Sequence, residues 1–306
     1  MRSKLRIVSL VLLVILLAVY LWPVPRVPFE EAYAKVDSDV TASLQAFRAE
    51  RPPKAIKVDG VKWEYAAFGE GAETILFLHG MTGAYDIWWR VMEELQSEYR
   101  VVSVTYPAVD SLEEMSAGAL AVLDAEGVEK ADIVGTSLGG YFAQYLVANH
   151  SDRVSSAVFA NTFPPNDLIK EKNGTLGALI PFLPEWLVID VLRGSFVESV
   201  YPTSGNDELT LAFLMEISYG RVTRAQVAGR YRCVVEKFDA ANPGALGIPV
   251  MIIEADNDPL VELTLREQLK ETYPSAAVHT LSVGHFPYLK APEEYAQFLR
   301  EFFAKP

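Results

Sequence analysis

One stretch, Asp132-Ile-Val-Gly-Thr-Ser-Leu-Gly-Gly-Tyr-Phe-Ala-Gln144, constrains the fold more than any other part of the sequence. Residues typical of a buried strand come first, a glycine-rich turn follows, and a helical pattern ends the stretch. The turn has the pattern G-x-S-x-G at Gly135, Ser137 and Gly139. A serine on such a turn has a strained backbone and an exposed hydroxyl, and its neighbours must be small because other backbone approaches them. The spacing therefore predicts a nucleophile at Ser137, with an ordinary glycine-rich turn as the alternative.

Strand and helix patterns alternate on both sides of this turn, which predicts an α/β fold with a mainly parallel sheet and helices on both faces. Asp59-Gly60 joins two alternating segments, 56–58 and 61–68, as an antiparallel hairpin at the edge. The later predicted strands are 74–78, 101–105, 133–134, 154–160, 250–253 and 277–281. The predicted helices are 85–97, 112–126, 138–149, 261–272 and 292–303.

The alternation stops between the two halves of this pattern, where apolar patches are interrupted by prolines and glycines. This composition predicts a helical lid inserted into the α/β core. We therefore divide the chain as follows: an N-terminal segment 1–28, an amphipathic helix and linker 29–55, core 56–162, lid 163–240 and core 241–306.

The N-terminal segment begins with Arg2, Lys4 and Arg6 and continues as an uncharged, mainly apolar run from Ile7 to Trp22. A cleaved signal peptide would need small residues near the end of the run, and the residues there are bulky. We therefore predict an uncleaved signal-anchor, a single transmembrane helix that places the catalytic domain outside the cytoplasm. A cleaved segment, giving a secreted or periplasmic protein, is the alternative.

Composition excludes several classes of function. The formal net charge of -13 argues against a nucleic-acid partner, because phosphate backbones attract clustered lysine and arginine. The single cysteine, Cys233, allows no disulfide within the chain. The four histidines lack H-E-x-x-H spacing, which argues against a zinc hydrolase. We expect neither a metal nor another cofactor, and the sequence does not indicate an oligomeric state.

A nucleophilic serine needs a base, and the base needs an acid that orients it. In this architecture both follow the serine in chain order, on loops after later strands. His285 lies in a loop between the last predicted strand and the last helix, so it is the predicted base. Asp258 precedes a predicted helix after the strand 250–253, so it is the predicted acid, with Asp256 as the competitor.

An oxyanion hole needs two backbone amides directed at one point. Leu138 directly follows the serine and supplies one, and Met81, after His79-Gly80, is the candidate for the other. His79 itself is predicted to brace the loop. Three aromatic residues are tentative substrate contacts, with burial in the core as the alternative: Trp88, Tyr141 and Phe286.

Together, His79-Gly80, the serine turn, the loop 254–261 and Gly284-His285 resemble the α/β-hydrolase superfamily over residues 56–303. Within it the chain looks most like the maspardin-type branch. The similar segments are 135–144, 160–163, 183–187, 192–196 and 286–289. Resemblance to maspardin implies a binding role, because the triad of maspardin is regarded as degraded. This sequence departs from that pattern, since it keeps Asp258 and His285.

Two functions follow. The first is a serine hydrolase that acts through an acyl-enzyme on a small-molecule carboxylic ester or related acyl compound, with an apolar acyl group. Thioesterase, amidase, lipase and perhydrolase chemistry share the same triad and stay open. The second is a non-catalytic binding protein held at the membrane by its N-terminal helix.

Overall fold

The computed structural model describes residues 2–304, without the side chains of Arg2, Ser3 and Leu5. Eight strands form one sheet in the order β1-β2-β4-β3-β5-β6-β7-β8. The strands are β1 (Lys54–Val58), β2 (Val61–Phe68), β3 (Thr74–Leu78), β4 (Arg100–Thr105), β5 (Ala131–Thr136), β6 (Val154–Ala160), β7 (Val250–Ala255) and β8 (Ala277–Leu281). Strand β2 pairs antiparallel with β1 and β4, and every other pair is parallel. The predicted α/β architecture and its antiparallel edge are therefore confirmed.

Helices cover both faces of the sheet. Before β7 they are α1 (Arg2–Tyr20), α2 (Phe29–Ala32), α3 (Ser38–Glu50), α4 (Trp89–Leu95), α5 (Leu112–Ala125), α6 (Leu138–Asn149), α7 (Leu168–Leu179), α8 (Glu185–Ser195), α9 (Tyr201–Thr203), α10 (Glu208–Ser218), α11 (Arg224–Val235) and α12 (Pro243–Leu246). After β7 they are α13 (Leu263–Thr272), α14 (Pro287–Lys290) and α15 (Pro292–Phe303). Helices α7 to α12 all lie between β6 and β7, where the sequence predicts the lid.

The sheet separates two apolar clusters because side chains alternate along each strand. On β3, Ile75 and Phe77 face one cluster, and Leu76 and Leu78 face the other. All four side chains are buried, as expected for a central parallel strand. This doubly covered core fixes the strand ends from which the site residues extend.

The segment after α1 differs from the single amphipathic helix expected over 29–51. Two helices, α2 and α3, are separated by a turn at residues 33–37. The Asp37 side chain accepts hydrogen bonds from the amides of Asp39 and Val40 and so begins a second helix.

The predicted signal-anchor over residues 1–28 is wrong. Among the described residues, no helix combines the length and the apolar character that a membrane span requires. The uncharged part of α1 begins after Arg6 and the helix ends at Tyr20. At a rise of about 1.5 Å per residue this part is roughly 21 Å long, shorter than a hydrocarbon core of about 30 Å.

A buried ion cluster joins the N-terminal helices to the helices between β6 and β7. Asp86, which is 0% exposed, accepts hydrogen bonds from Arg48 at 2.8 Å and Arg221 at 2.7 Å. Arg48 also donates twice to Glu216 in α10, at 2.9 and 2.8 Å, and the Tyr33 hydroxyl donates to the same carboxylate at 2.6 Å. Burial alone would raise the pKa of Asp86, but the charges of Arg221 and Arg48 outweigh it, so that pKa is lowered.

Replacing Asp86 by Asn should therefore destabilise the fold strongly, because two partly buried arginines lose their shared partner. We expect the free energy of unfolding in urea to fall by about 3–5 kcal/mol at pH 7. The difference from wild type should shrink below about pH 4, because a carboxylate with a lowered pKa contributes its full stabilisation above its unfolded pKa and loses it as the pH falls towards its folded pKa. Asp110→Asn is the control: its pair with Arg232 is exposed, and about 0–1 kcal/mol is expected. Equal losses in both variants would contradict this account.

Candidate active site

The serine turn lies between β5 and α6, and its backbone is strained. Ser137 has φ 54° and ψ -122°, a region that residues with a side chain rarely adopt. Two contacts hold it there: the Ser137 amide donates to the Ala160 carbonyl at 2.9 Å, and the Thr162 hydroxyl donates to the Ser137 carbonyl at 2.6 Å. The strain is therefore balanced by bonds to the end of β6 and to the residues just after it.

The glycines around Ser137 are required by close backbone approach. A Cβ on Gly139 would lie 2.1 Å from the Leu78 carbonyl oxygen, and one on Gly135 would lie 2.1 Å from the Gly139 carbonyl oxygen. A Cβ on Gly80 would lie 3.1 Å from the Ser137 Cβ. The loop after β3 thus packs directly against the serine.

His285 and Asp258 form a buried pair. The His285 Nδ1 lies 2.8 Å from Asp258 Oδ2 and 2.9 Å from Oδ1, and the two side chains are 3% and 0% exposed. Burial would raise the pKa of Asp258. The electrostatic interaction with His285, together with hydrogen bonds, has the larger and opposite effect, and the pKa of Asp258 is lowered. An ionised carboxylate only accepts hydrogen bonds, so the proton lies on Nδ1 and Nε2 is left as the basic nitrogen.

Asp258 is fixed in place from two further directions. Its Oδ2 accepts a hydrogen bond from Asn161 Nδ2 at 2.9 Å, and its Oδ1 accepts from the amides of Leu260 and Val261 at 2.8 and 3.1 Å. Asp256, the competing acid, instead accepts a hydrogen bond from the Ser282 hydroxyl at 2.8 Å. The structure therefore brings Asp258, and not Asp256, to His285.

His79 is buried and braces the loop that carries Met81. Its Nδ1 lies 2.7 Å from the Gly80 carbonyl oxygen, and its Nε2 accepts from the Tyr106 amide at 3.3 Å. Burial, followed by the charge of Arg230, lowers the pKa of His79 well below its usual value. The ring is therefore neutral, with its proton on Nδ1.

Two small cavities meet at Ser137. The first has a volume of about 170 Å³ and is lined by Gly80, Met81, Thr82, Gly83, Ile87, Ser137, Leu192, Ser195, Phe196, Leu260, His285, Phe286 and Tyr288. The second has a volume of about 180 Å³ and is lined by Met81, Ser137, Leu138, Phe163, Leu168, Ile169, Lys172, Asn173, Val234, Leu260, Glu262 and Leu265. Both are mainly apolar, and both are partly covered by helices between β6 and β7.

The three aromatic residues proposed as substrate contacts have different positions. Phe286 lines the first cavity. Trp88 is 0% exposed and packs in the core against Phe77 and Tyr288, because its 3₁₀ turn lies on the sheet. Tyr141 is buried beside the second cavity's Phe163 and donates its hydroxyl to the Glu236 carbonyl at 2.6 Å.

A larger cavity of about 530 Å³ lies at the opposite end of the sheet, lined among others by Thr74, Asp132 and Ser156. Burial raises the pKa of Asp132 to about 6. These residues are at the N-terminal ends of the strands, whereas ligands of open α/β sheets bind at the carboxyl ends. Size alone therefore does not identify the site, and the cavities at Ser137 are the better candidate.

Sequence reasoning missed three residues of the site. Asn161 follows β6 and holds Asp258, a contact that the sequence did not predict. Thr162 holds the strained serine. Arg230 contacts the loop of Met81, and a single arginine in a lid helix gives no sequence signal for that contact.

Comparison with known proteins shows the family of the chain. Residues 73–292 match the family model described as alpha/beta hydrolase fold. The chain therefore belongs to the α/β-hydrolase fold family.

Individual relatives include esterases and hydrolases. Human maspardin is 24% identical over 262 residues, which cover 82% of each protein, so the resemblance to maspardin is confirmed. The esterase YbfF of Escherichia coli K12 is 24% identical over 74% of this chain and 92% of its own. An acetyltransferase component of an acetoin cleaving system from Cupriavidus necator is 34% identical, but the chain spans only 30% of that protein. Among solved structures, a hydrolase from Pseudomonas aeruginosa PA01 has a TM-score of 0.73 at 17% identity, covering 83% of this chain and 99% of its own.

Replacing Gly139 by Ala should disrupt the serine turn, since the new Cβ would overlap the Leu78 carbonyl oxygen. We expect the free energy of unfolding to fall by about 2–3 kcal/mol. Gly194→Ala in α8 is the matched control, because a Cβ there meets no atom within 4 Å and alanine favours a helix by up to about 1 kcal/mol. Chemical denaturation of both variants measures the effect, and a stable Gly139→Ala variant would contradict the tight-turn geometry.

Proposed function

We propose that this protein is a serine hydrolase of small carboxylic esters, with Ser137 as nucleophile, His285 as base and Asp258 as the orienting acid. One observation carries the proposal: Ser137 and His285 line the same mainly apolar cavity, and the buried Asp258 carboxylate lies behind His285 on the Nδ1 side. A buried carboxylate with a lowered pKa keeps His285 in the tautomer that leaves Nε2 available as a base.

The reaction follows from this arrangement in two halves. The Ser137 hydroxyl oxygen attacks the ester carbonyl carbon while His285 Nε2 takes the hydroxyl proton. When the tetrahedral intermediate collapses, the carbon–oxygen bond to the alcohol breaks and His285 returns the proton to the leaving alcohol. Water then attacks the acyl-enzyme, again giving a proton to His285, and the carboxylic acid leaves as Ser137 regains its proton.

Two amides are suited to stabilise the oxyanion that forms in each half. The Leu138 amide is the first of α6, where amides have no acceptor within the helix and the helix dipole favours negative charge. The Met81 amide belongs to the loop that packs against Ser137 at Gly80. Loss of one such donor typically raises the barrier by about 3 kcal/mol.

We assign the two halves of the ester to the two cavities by the position of His285. The leaving oxygen must lie within hydrogen-bond reach of His285, and His285 lines only the first cavity of the pair. The alcohol part therefore occupies the first cavity and the acyl part the second. An apolar cavity of about 150 Å³ holds a benzene molecule, so each half is a compact group of roughly that size.

A second function, binding without catalysis, is favoured by the alignment with maspardin over 82% of this chain. A pure binding protein has no need of a base and an acid held together in a buried pair. The two functions therefore differ in whether Ser137 reacts.

A fluorophosphonate probe should label the wild type, and Ser137→Ala should abolish labelling, because the probe forms a bond only with an activated serine. Asp258→Asn should lower kcat for a short p-nitrophenyl ester by about 10⁴-fold, since the histidine loses its tautomer. Asp256→Asn is the matched control and should stay within about threefold of wild type because Asp256 contacts Ser282. An unlabelled wild type, or equal labelling of Ser137→Ala, would favour the binding protein.

Filling one cavity at a time should test the assignment of the two halves. Leu192→Trp narrows the first cavity and should lower kcat/KM most for acetates of bulky alcohols. Ile169→Trp narrows the second cavity and should lower kcat/KM most for esters of longer acids. In each series of esters, we expect kcat/KM to fall at least about tenfold more for the bulky esters than for the small ones. A lost methylene contact or a clash changes the barrier by about 1–3 kcal/mol. The opposite pattern would reverse the assignment.

A further inference from the structure

Arg230 is a buried cation bound by backbone carbonyl oxygens. It lies in α11 and is 1% exposed. Its guanidinium donates to the carbonyl oxygens of Met81 at 2.6 Å, Gly83 at 3.3 Å and Tyr106 at 2.7 Å. Among the ion pairs of the described residues, none includes Arg230. Burial lowers its pKa only to about 10, so it is charged at neutral pH. A buried charge without a counter-ion costs desolvation energy, and here only the carbonyl oxygens of Met81, Gly83 and Tyr106 offset that cost.

His79 and Arg230 together restrain the backbone on both sides of the Met81 Cα. The Gly80 carbonyl, on the N-terminal side of that amide, is bound by His79 Nδ1 at 2.7 Å. The Met81 carbonyl, on the C-terminal side, is bound by Arg230. The amide between these two carbonyls is that of Met81. The Gly80 carbonyl and the Met81 N–H belong to one peptide plane, which His79 holds, and Arg230 holds the next plane, so both planes that meet at the Met81 Cα are restrained.

Helix α11 is docked firmly enough to hold this arginine. A Cβ on Gly229 would lie 2.1 Å from the Val109 carbonyl oxygen, so the helix touches the backbone of the loop after β4. Gln226 Nε2 also donates to the Tyr106 carbonyl at 3.0 Å. Although α11 belongs to the lid in sequence, its inner face is attached to the α/β core.

We propose that Arg230 is a positioning residue for the oxyanion hole: from the lid it holds the Met81 amide toward Ser137 and adds a buried positive charge near the developing oxyanion. This inference rests on the proposed ester hydrolysis. Its contribution is made to the tetrahedral intermediate and not to the bound ester, so it changes kcat and not KM.

The test compares Arg230→Met, Arg230→Lys and the matched control Arg232→Met, which changes the same side chain on the exposed part of the same helix. Kinetics are measured with a short p-nitrophenyl ester well below each variant's Tm, and a trifluoromethyl ketone serves as the mimic of the tetrahedral intermediate. We expect Arg230→Met to lower kcat by about 10- to 100-fold while KM stays within about threefold of wild type. The affinity for the ketone should fall in parallel with kcat. Arg232→Met should leave all three values close to wild type.

Arg230→Lys keeps the positive charge but loses the planar, forked guanidinium group. This variant should fold, and its kcat and its affinity for the ketone should lie between those of wild type and Arg230→Met. If Arg230→Met does not fold, Arg230→Lys decides: unchanged kcat and unchanged ketone affinity would overturn the inference. A purely structural role would lower Tm without changing the ratio of ketone affinity to KM, and would also overturn it. A wild type that hydrolyses no ester overturns the proposed function and this inference together, whereas an active wild type with an active Arg230→Met variant overturns only the inference.

Discussion

The structure depends on one strained residue, Ser137, whose backbone lies in a region that side chains disfavour. The strain persists because neighbouring segments fix the turn from several sides: glycines permit the approach of β3 and α6, and the end of β6 supplies hydrogen bonds. These segments are far apart in sequence. The serine is thus positioned by the completed sheet, and not by its own turn alone.

The same strand ends position the rest of the site. Residue 161, directly after β6, places its amide on Asp258, while the loop after β7 supplies two backbone amides to the same carboxylate. His285 reaches that carboxylate from the loop after β8. Three neighbouring strands therefore meet in one hydrogen-bonded network, and any change in their register would separate the acid from the base.

Three features could be predicted from the sequence: the alternation of strands and helices, the serine turn, and the order of the acid and the histidine along the chain. Each is visible as a pattern in the sequence and needs no knowledge of contacts between distant segments. The contacts of Asn161 and Arg230 could not be predicted from the sequence, because they join segments separated by more than 90 residues and depend on backbone oxygens or on a single side chain.

The prediction for the N-terminal run was wrong for a different reason. Its composition resembled a span, but the helix ends at Tyr20, before the run does. Trp88 likewise shows that residue type alone does not distinguish a substrate contact from a core residue, since this aromatic side chain is entirely buried in the core.

The contacts of Arg230 have a consequence for how this protein can change over evolutionary time. Its acceptors are main-chain oxygens, and every amino acid carries such an oxygen. Substitutions at positions 81 and 106 therefore leave these oxygens in place, whereas substitution of the arginine removes the contact at once. Among descendants of this sequence, we expect a constant arginine whose partners vary, so that methods based on correlated substitutions would find no partner for it.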